Sequence, residues 1–187
     1  MRRGLPLAAL LLTSAAAGCA APDPGPPATP NPFAGCAAVA PGGGVAPAEP
    51  LPDLTLDCYA GGTVKLADVR GPALVNVWNT GCAPCREEMP ALQRLADRTA
   101  GRLHVLGVVT GDTRPRAQSF GTDVGVGYPN VDDPGQRLMA ALGKIGIPLT
   151  VLVDATGSVA HVHNGTALTD ADLAELVDTH LGVAVPA

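Results

Sequence analysis

The sequence predicts an α/β fold in which a central mixed β-sheet is flanked by helices. Short runs of apolar, β-branched residues alternate along the chain with segments whose apolar residues recur at helical spacing, which is typical of a sheet with a parallel centre. The last two predicted strands follow one another through a tight turn, and such a hairpin adds an antiparallel edge. Apolar residues make up 47% of the 187-residue chain and aromatic residues 3%, so aliphatic side chains must fill the core.

The N-terminal residues differ in composition from the rest of the chain. Residues 1–18 combine a short basic start with an apolar stretch too short to span a bilayer, and small residues run directly into Cys19. This arrangement resembles a bacterial lipoprotein signal, cut before Cys19, whose thiol is then lipidated; an ordinary signal peptide cleaved nearby is the alternative. Either signal places the mature protein outside the cytoplasm, where disulfides persist. Residues 19–50, rich in Pro, Gly and Ala, predict a tether without a core, so the folded domain is expected over residues 51–187.

The predicted elements begin with a buried strand over Gly71–Trp78, an apolar run opened by Gly-Pro. Apolar residues at helical spacing then predict a helix over Cys85–Ala100, which Gly101 ends. The remaining elements are, in chain order, a buried strand over 102–110, short helices near 115–120 and 134–142, strands over 148–154 and 158–163, and a final helix that is capped by Thr169 and ends near Leu181.

The charge of the chain argues against nucleic acid as a partner. The 12 basic and 17 acidic residues give a formal net charge of −5, and the basic residues are scattered. A nucleic-acid-binding protein needs a clustered Lys/Arg face.

The five cysteines are an odd number, which in a secreted protein calls for an explanation. With Cys19 assigned to the lipid, four cysteines remain and allow three pairings, among which sequence alone does not choose. Spacing favours Cys82 with Cys85, which leaves Cys36 and Cys58 for a structural disulfide that pins the tether. Two unpaired thiols, or a redox relay through them, are the alternatives.

The C-x-x-C motif at Cys82 and Cys85 directly follows a buried strand and opens a helix, which is the context of redox-active cysteines. A helix N-terminus carries partial positive charge and unsatisfied N–H groups, so it stabilises a thiolate and lowers the pKa of a thiol placed there. Cys82 is therefore the expected attacking thiol and Cys85, one turn later, the resolving thiol. Pro84 suits a first helical turn because its missing N–H is not needed there.

No metal site is expected in this chain. A structural zinc site would need a second ligand pair of compatible spacing, which Cys36 and Cys58 do not provide. His161 and His163 lie on one face of a strand, and we interpret them as solvent-facing side chains rather than as copper ligands. The redox-active disulfide is the only redox group that the sequence indicates.

The segment VNVWNTGCAPCREEMP resembles the active-site segment of the thioredoxin superfamily, specifically its TlpA/ResA/DsbE-like branch of membrane-anchored extracytoplasmic oxidoreductases. GIPLTVLVDATGSV resembles the cis-proline segment of that family, YPNVDDPGQRLMAALG the stretch before it, and LTDADLAELV the closing helix. The resemblance covers most of residues 51–187. It implies a thioredoxin-like fold and disulfide exchange with protein thiols.

The resemblance also implies roles for residues around the motif. Pro148 is the expected cis-proline facing the cysteine pair, with the Ile147 backbone available to pair with an extended substrate. Trp78 is expected to pack beneath the disulfide and, with Gly81 and Ile147, forms the predicted substrate-binding set. Gly81 stands where the family usually carries an aromatic residue, so partner recognition is left open.

Glu88 lies three residues after Cys85 and thus on the same face of the helix. The resemblance implies that an acid at this position tunes the cysteines and moves protons. The alternative is a solvated side chain like that of Glu87.

The sequence therefore predicts a lipid-anchored thiol–disulfide oxidoreductase facing outward from the bacterial cell membrane, with a membrane redox partner. Its direction is open between a reductant in cytochrome c maturation and an oxidant of secreted proteins, because sequence does not fix the reduction potential. A thiol peroxidase of the peroxiredoxin type and a metal- or ligand-binding lipoprotein are the alternatives.

Overall fold

The protein is described by a computed structural model over residues 29–39 and 46–186. The predicted signal segment and Cys19 lie outside the described residues. The strands and helices are, in chain order, β1 (Thr55–Cys58), β2 (Thr63–Lys65), β3 (Ala73–Trp78), α1 (Ala83–Arg98), β4 (His104–Thr110), α2 (Arg114–Val124), β5 (Asn130–Asp133), α3 (Arg137–Ala141), β6 (Leu149–Val153), β7 (Val159–Asn164) and α4 (Asp170–Leu181). Within the described ranges, no helix is both long and apolar enough to span a bilayer.

The strands form one seven-stranded sheet in the order β2-β1-β5-β4-β3-β6-β7. Its centre is parallel, because β4 pairs in parallel with both β3 and β5. β6 pairs antiparallel with β3, and β7 pairs antiparallel with β6. The predicted mixed sheet flanked by helices is thereby confirmed.

Three strands in the structure were not expected from the sequence: β1, β2 and β5. β2 has only three residues. β5 has the sequence NVDD, so it has neither an apolar run nor a strand-like alternation. The parallel ladder to β4 specifies β5, and a contact between distant segments of this kind leaves no local pattern.

The side chains of β3 alternate between the two faces of the sheet, so this strand contributes to two apolar clusters. Leu74 and Trp78 belong to the apolar cluster that contains Cys85 of α1, whereas Val75 and Val77 belong to the cluster on the other face. Successive side chains of a strand point to opposite faces, so a residue two before or after Trp78 shares its side. The end of β3 therefore places Trp78 on the face of the sheet where Cys85 of α1 packs.

Residues 29–39, which we call the strap, pack against the domain although the sequence predicted a tether without a core. Phe33, Cys36 and Val39 are 4%, 5% and 1% exposed. The Ala34 N–H also donates to the Gly127 carbonyl at 2.8 Å. The packed unit therefore begins before residue 51, because three side chains of a segment with the composition of a linker are buried against the domain.

Candidate active site

The C-x-x-C pair lies where β3 ends and α1 begins. Cys82 is the N-cap of α1, with Pro84 in the first turn, and its sulfur accepts a 3.2 Å hydrogen bond from the Cys85 N–H. The two cysteines form a disulfide with a Cα–Cα distance of 5.3 Å. Cys82 is half-buried, whereas Cys85 is fully buried. An incoming thiol or disulfide therefore reaches Cys82 first.

The loop ahead of Cys82 is held by a carboxylate that sequence reasoning missed. Asp112, just after β4, accepts hydrogen bonds from the Thr80 N–H at 2.8 Å and from the Thr80 hydroxyl at 2.6 Å. Burial opposes ionisation of Asp112, but the hydrogen bonds from Thr80 and Thr113 outweigh it and hold its pKa below the usual value. Gly81, next to Cys82, is exposed, and its N–H donates to the Asn79 side chain at 3.0 Å.

The Ile147–Pro148 peptide bond is cis, and this loop lies beside the cysteine pair. The Ile147 carbonyl oxygen is 3.7 Å from the Cys82 sulfur. The Asn164 side chain on β7 donates to the Gly146 carbonyl at 2.8 Å and to the Pro148 carbonyl at 3.1 Å, which fixes the loop from behind. The structure thus brings the Pro148 loop to the Cys82–Cys85 pair, although Ile147 and Cys82 are 65 residues apart in the chain; the catalytic roles of Cys82, Cys85 and Pro148 stay predictions.

Glu88 is 1% exposed, which excludes the alternative of a solvated side chain. Its carboxylate accepts hydrogen bonds from the Asn76 side-chain amide at 2.7 Å and from the Leu168 N–H at 3.1 Å. Burial raises the pKa of Glu88, whereas these two hydrogen bonds and the charge of His163 act in the opposite direction without cancelling it. A buried carboxyl with a raised pKa, one turn after Cys85, is suited to hold and release a proton.

Trp78 is fully buried, so a docked substrate cannot touch its ring, and the prediction that it belongs to the substrate-binding set is wrong. Its indole N–H donates to the Asn130 side-chain oxygen at 2.9 Å, and its ring centroid is 5.9 Å from that of Phe120 on α2. Trp78 belongs to the same apolar cluster as Cys85, on the side of the sheet where it was expected to pack beneath the disulfide. Nothing in the sequence around Asn130 indicates that its side chain accepts a hydrogen bond from the Trp78 indole.

Cys36 of the strap and Cys58 at the end of β1 form the second disulfide, with a Cα–Cα distance of 6.2 Å. Both side chains are buried. The bond closes the chain over a sequence separation of 22 residues and ties the strap to the sheet. Its role as a structural link, separate from the redox pair, stays a prediction.

The histidines of β7 take part in local contacts. The His161 ring stacks on that of His180 of α4, with centroids 4.0 Å apart, and His163 lies 3.3 Å from the Thr166 carbonyl oxygen. In the part of the chain that the structure describes, no three His, Cys, Asp or Glu side chains are grouped so as to hold a metal ion.

A protein-family model described as the AhpC/TSA family matches residues 47–162, which include the whole C-x-x-C segment and the cis-proline loop. The chain belongs to this family. Among curated relatives, the thiol-disulfide oxidoreductase ResA of Geobacillus thermodenitrificans (strain NG80-2) is 31% identical over 124 residues, covering 65% of this chain and 71% of ResA.

Solved structures of similar proteins share the fold of this AhpC/TSA family member. A secreted thiol-disulfide isomerase from Corynebacterium glutamicum is 33% identical with a TM-score of 0.58, and the match covers 71% of this chain and 83% of that one. A thiol:disulfide interchange protein of the thioredoxin family from Chlorobium tepidum TLS is 27% identical with a TM-score of 0.62, covering 74% of this chain and 100% of that one. The thioredoxin-like fold, the family resemblance and the predicted enzyme class, thiol–disulfide oxidoreductase, are confirmed.

Proposed function

We propose that this protein is an extracytoplasmic thiol–disulfide oxidoreductase that exchanges disulfides with protein thiols through Cys82. The observation that carries the proposal is the asymmetry of the pair: Cys82 caps α1 and is half-buried, while Cys85 is fully buried one turn later. An accessible sulfur at a helix N-terminus meets a partner, and a protected sulfur beside it closes the reaction.

In the reducing direction, the Cys82 thiolate attacks one sulfur of a substrate disulfide and releases the other as a thiolate. This step leaves a mixed disulfide between Cys82 and the substrate. The Cys85 thiolate then attacks the Cys82 sulfur, releases the second substrate thiol and re-forms the Cys82–Cys85 bond. Two electrons pass from the pair to the substrate, and oxidation of substrate thiols is the reverse sequence.

Glu88 is proposed to handle the proton of the resolving step. Cys85 must lose its proton before it attacks, and it lies in an apolar site where a thiolate is disfavoured. A carboxyl whose pKa is raised by burial accepts a proton near neutral pH more readily than an exposed one. Asn76 and Leu168 hold it in place through their two hydrogen bonds.

The cis-proline loop is proposed as the docking edge for an extended partner segment. The Ile147 carbonyl oxygen lies 3.7 Å from the Cys82 sulfur, and Gly81, next to Cys82, is exposed and has no side chain. Ile145, two residues before Ile147, is a fully exposed large apolar side chain and offers an apolar contact to the partner.

The cellular setting is part of the same proposal. We infer that the mature chain is anchored to the outer face of the bacterial cell membrane through lipidated Cys19 and that a membrane redox partner returns the pair to its working state. The secreted C. glutamicum protein supports a location outside the cytoplasm. Cytochrome c maturation and the oxidation of secreted proteins are the two uses that we propose for the activity. In whole cells, Cys19→Ala should move the protein from the membrane to the soluble fraction, and an unchanged distribution would contradict the anchor.

The activity is tested by insulin reduction in dithiothreitol, with the wild type beside the Cys82→Ser and Cys85→Ser variants. The wild type should accelerate insulin precipitation, and Cys82→Ser should fall to the background rate. Glu87→Gln is the control variant. Glu87 is exposed on the same helix, so its replacement should leave the rate of insulin precipitation unchanged. Consumption of hydrogen peroxide by the reduced protein, without insulin reduction, would instead establish the peroxidase alternative.

A further inference from the structure

Phe33 of the strap lies in the apolar cluster beneath the redox pair, together with Trp78 and Cys85. Its ring centroid is 5.1 Å from that of Tyr59 and 6.5 Å from that of Trp78, at interplanar angles of 85° and 70°. Edge-to-face contacts of this kind stabilise one relative orientation of the rings beyond the burial of their area. Phe33, which lies outside the predicted domain, thus contacts the rings of Tyr59 and Trp78 near the active site.

Helix α2 is shaped to accept this ring. A Cβ atom at Gly121 would lie only 2.7 Å from two carbons of the Phe33 ring, so the absence of a side chain at Gly121 makes room for it. Phe120, the preceding residue of α2, packs on Trp78. Phe33 and Phe120 are therefore two aromatic neighbours that hold Trp78 in place.

The strap has little freedom around Phe33. The Asn31 side chain accepts from the Phe33 N–H at 3.3 Å and donates to the Phe33 carbonyl at 3.2 Å. The Ala34 N–H donates to Gly127. Three residues beyond Phe33, the Cys36–Cys58 disulfide joins the strap covalently to β1.

We propose that Phe33 is a positioning residue for the redox pair and that the Cys36–Cys58 disulfide holds it there. The proposal rests on the proposed function, because it assigns the second disulfide the task of tuning the first. Phe33 acts through Trp78, whose ring lies in the same apolar cluster as Cys85. Val39, on the same strap, packs instead into the cluster on the opposite face of the sheet.

The expected effect follows from the polarity beneath the pair. Phe33 fills apolar space under Trp78 and keeps water out, and an apolar surrounding disfavours a thiolate. Phe33→Ala opens that space, so the reduced form of the pair becomes more favourable. The equilibrium constant for reduction of Cys82–Cys85 by glutathione should rise at least threefold, which corresponds to about 14 mV for a two-electron couple.

The test compares Phe33→Ala with Val39→Ala, since both truncate a buried strap residue but on opposite faces of the sheet. The glutathione equilibrium and the quenching of Trp78 fluorescence by acrylamide are measured in the otherwise complete protein; Trp78 is the only tryptophan in the chain. Phe33→Ala should shift the equilibrium and expose Trp78, Val39→Ala should do neither, and Phe33→Leu should restore most of both. Equal shifts in the two alanine variants, or no shift in either, would overturn the proposal.

The disulfide is tested by Cys36→Ala/Cys58→Ala, which keeps the strap sequence around Phe33 but removes its covalent link. This variant should shift the equilibrium in the same direction, and adding Phe33→Ala to it should add less than Phe33→Ala alone does in the wild type. Fully additive shifts would show that the disulfide does not act through Phe33. The glutathione equilibrium reports on the pair and acrylamide quenching reports on Trp78, and neither needs a protein substrate. The absence of insulin reduction by the wild type would therefore refute the proposed function without affecting this comparison.

Discussion

Replacing Glu88 by Gln tests whether the buried carboxyl is a titrating group. Burial raises its pKa above the ordinary value of 4.5. At pH values between the ordinary and the raised pKa, the folded protein therefore holds a proton that the unfolded chain has released. This extra proton on Glu88 stabilises the folded state. The stabilisation is fully present below pH 4.5 and is lost as pH rises through the folded-state pKa of Glu88.

The magnitude depends on pH. Within the titration window, a single group changes the free energy of unfolding by at most about 1.4 kcal/mol per pH unit. The protonated carboxyl of Glu88 and the Gln side chain each have one carbonyl oxygen for the Asn76 and Leu168 donors. Below pH 4.5, where Glu88 is protonated, the wild type and Glu88→Gln should therefore have similar free energies of unfolding. As pH rises through the folded-state pKa, the wild type should lose stability relative to Glu88→Gln.

The assay is urea unfolding of the oxidised protein from pH 4 to pH 9, followed by Trp78 fluorescence. The difference between the wild-type and Glu88→Gln curves isolates Glu88, because other titrating groups contribute equally to both. Glu87→Gln, an exposed change of the same charge, should leave the curve parallel to that of the wild type. Parallel wild-type and Glu88→Gln curves would refute the raised pKa. In the reduced protein, Glu88→Gln should also move the pH profile of thiol exchange to lower pH, since it removes a negative charge near the thiolate.

Three further predictions follow from the described contacts. Iodoacetamide at mildly acidic pH should label Cys82 of the reduced protein before Cys85, because Cys85 is fully buried; preferential labelling of Cys85 would reverse their roles. Removing both Cys36 and Cys58 should cost about 3 kcal/mol of unfolding free energy in the chain-entropy model for a separation of 22 residues, and mass spectrometry of the unreduced digest should detect the linked peptides; two free thiols would contradict the link. Gly107→Ala should lower stability by about 1–3 kcal/mol, because a Cβ there overlaps the Asn130 amide that bonds Trp78; unchanged urea unfolding would contradict this packing.

The elements that the sequence predicts well are those with a strong local pattern. Local sequence patterns predict four elements: apolar runs predict β3, β4 and β6, and a capping residue predicts α4. The spacing of Cys82 and Cys85 after β3 identifies the redox site. The family resemblance of the second motif, around Pro148, identifies the loop that lies beside the Cys82–Cys85 pair. These features are local in the chain, so short windows of sequence contain them.

The features that escape the sequence depend on contacts between distant segments. Asp112 positions Thr80 from the end of β4, and Asn130 holds Trp78 across 52 residues. Phe33 lies in a segment whose Pro- and Gly-rich composition predicts a tether, and its burial depends on Gly121, far along the chain. A polar residue on a short strand or an aromatic residue in a linker has the same local pattern whether or not it supports an active site.

The central claim, that Cys82 is the sulfur that joins a substrate, is tested most directly by trapping the mixed disulfide. Reduced Cys85→Ser protein is mixed with oxidised insulin, and the products are measured by non-reducing mass spectrometry. The predicted result is a covalent adduct through Cys82 that persists because no resolving thiol is present, and that Cys82→Ser/Cys85→Ser does not form. An absence of adduct, or an adduct of equal amount in the double variant, would contradict the account.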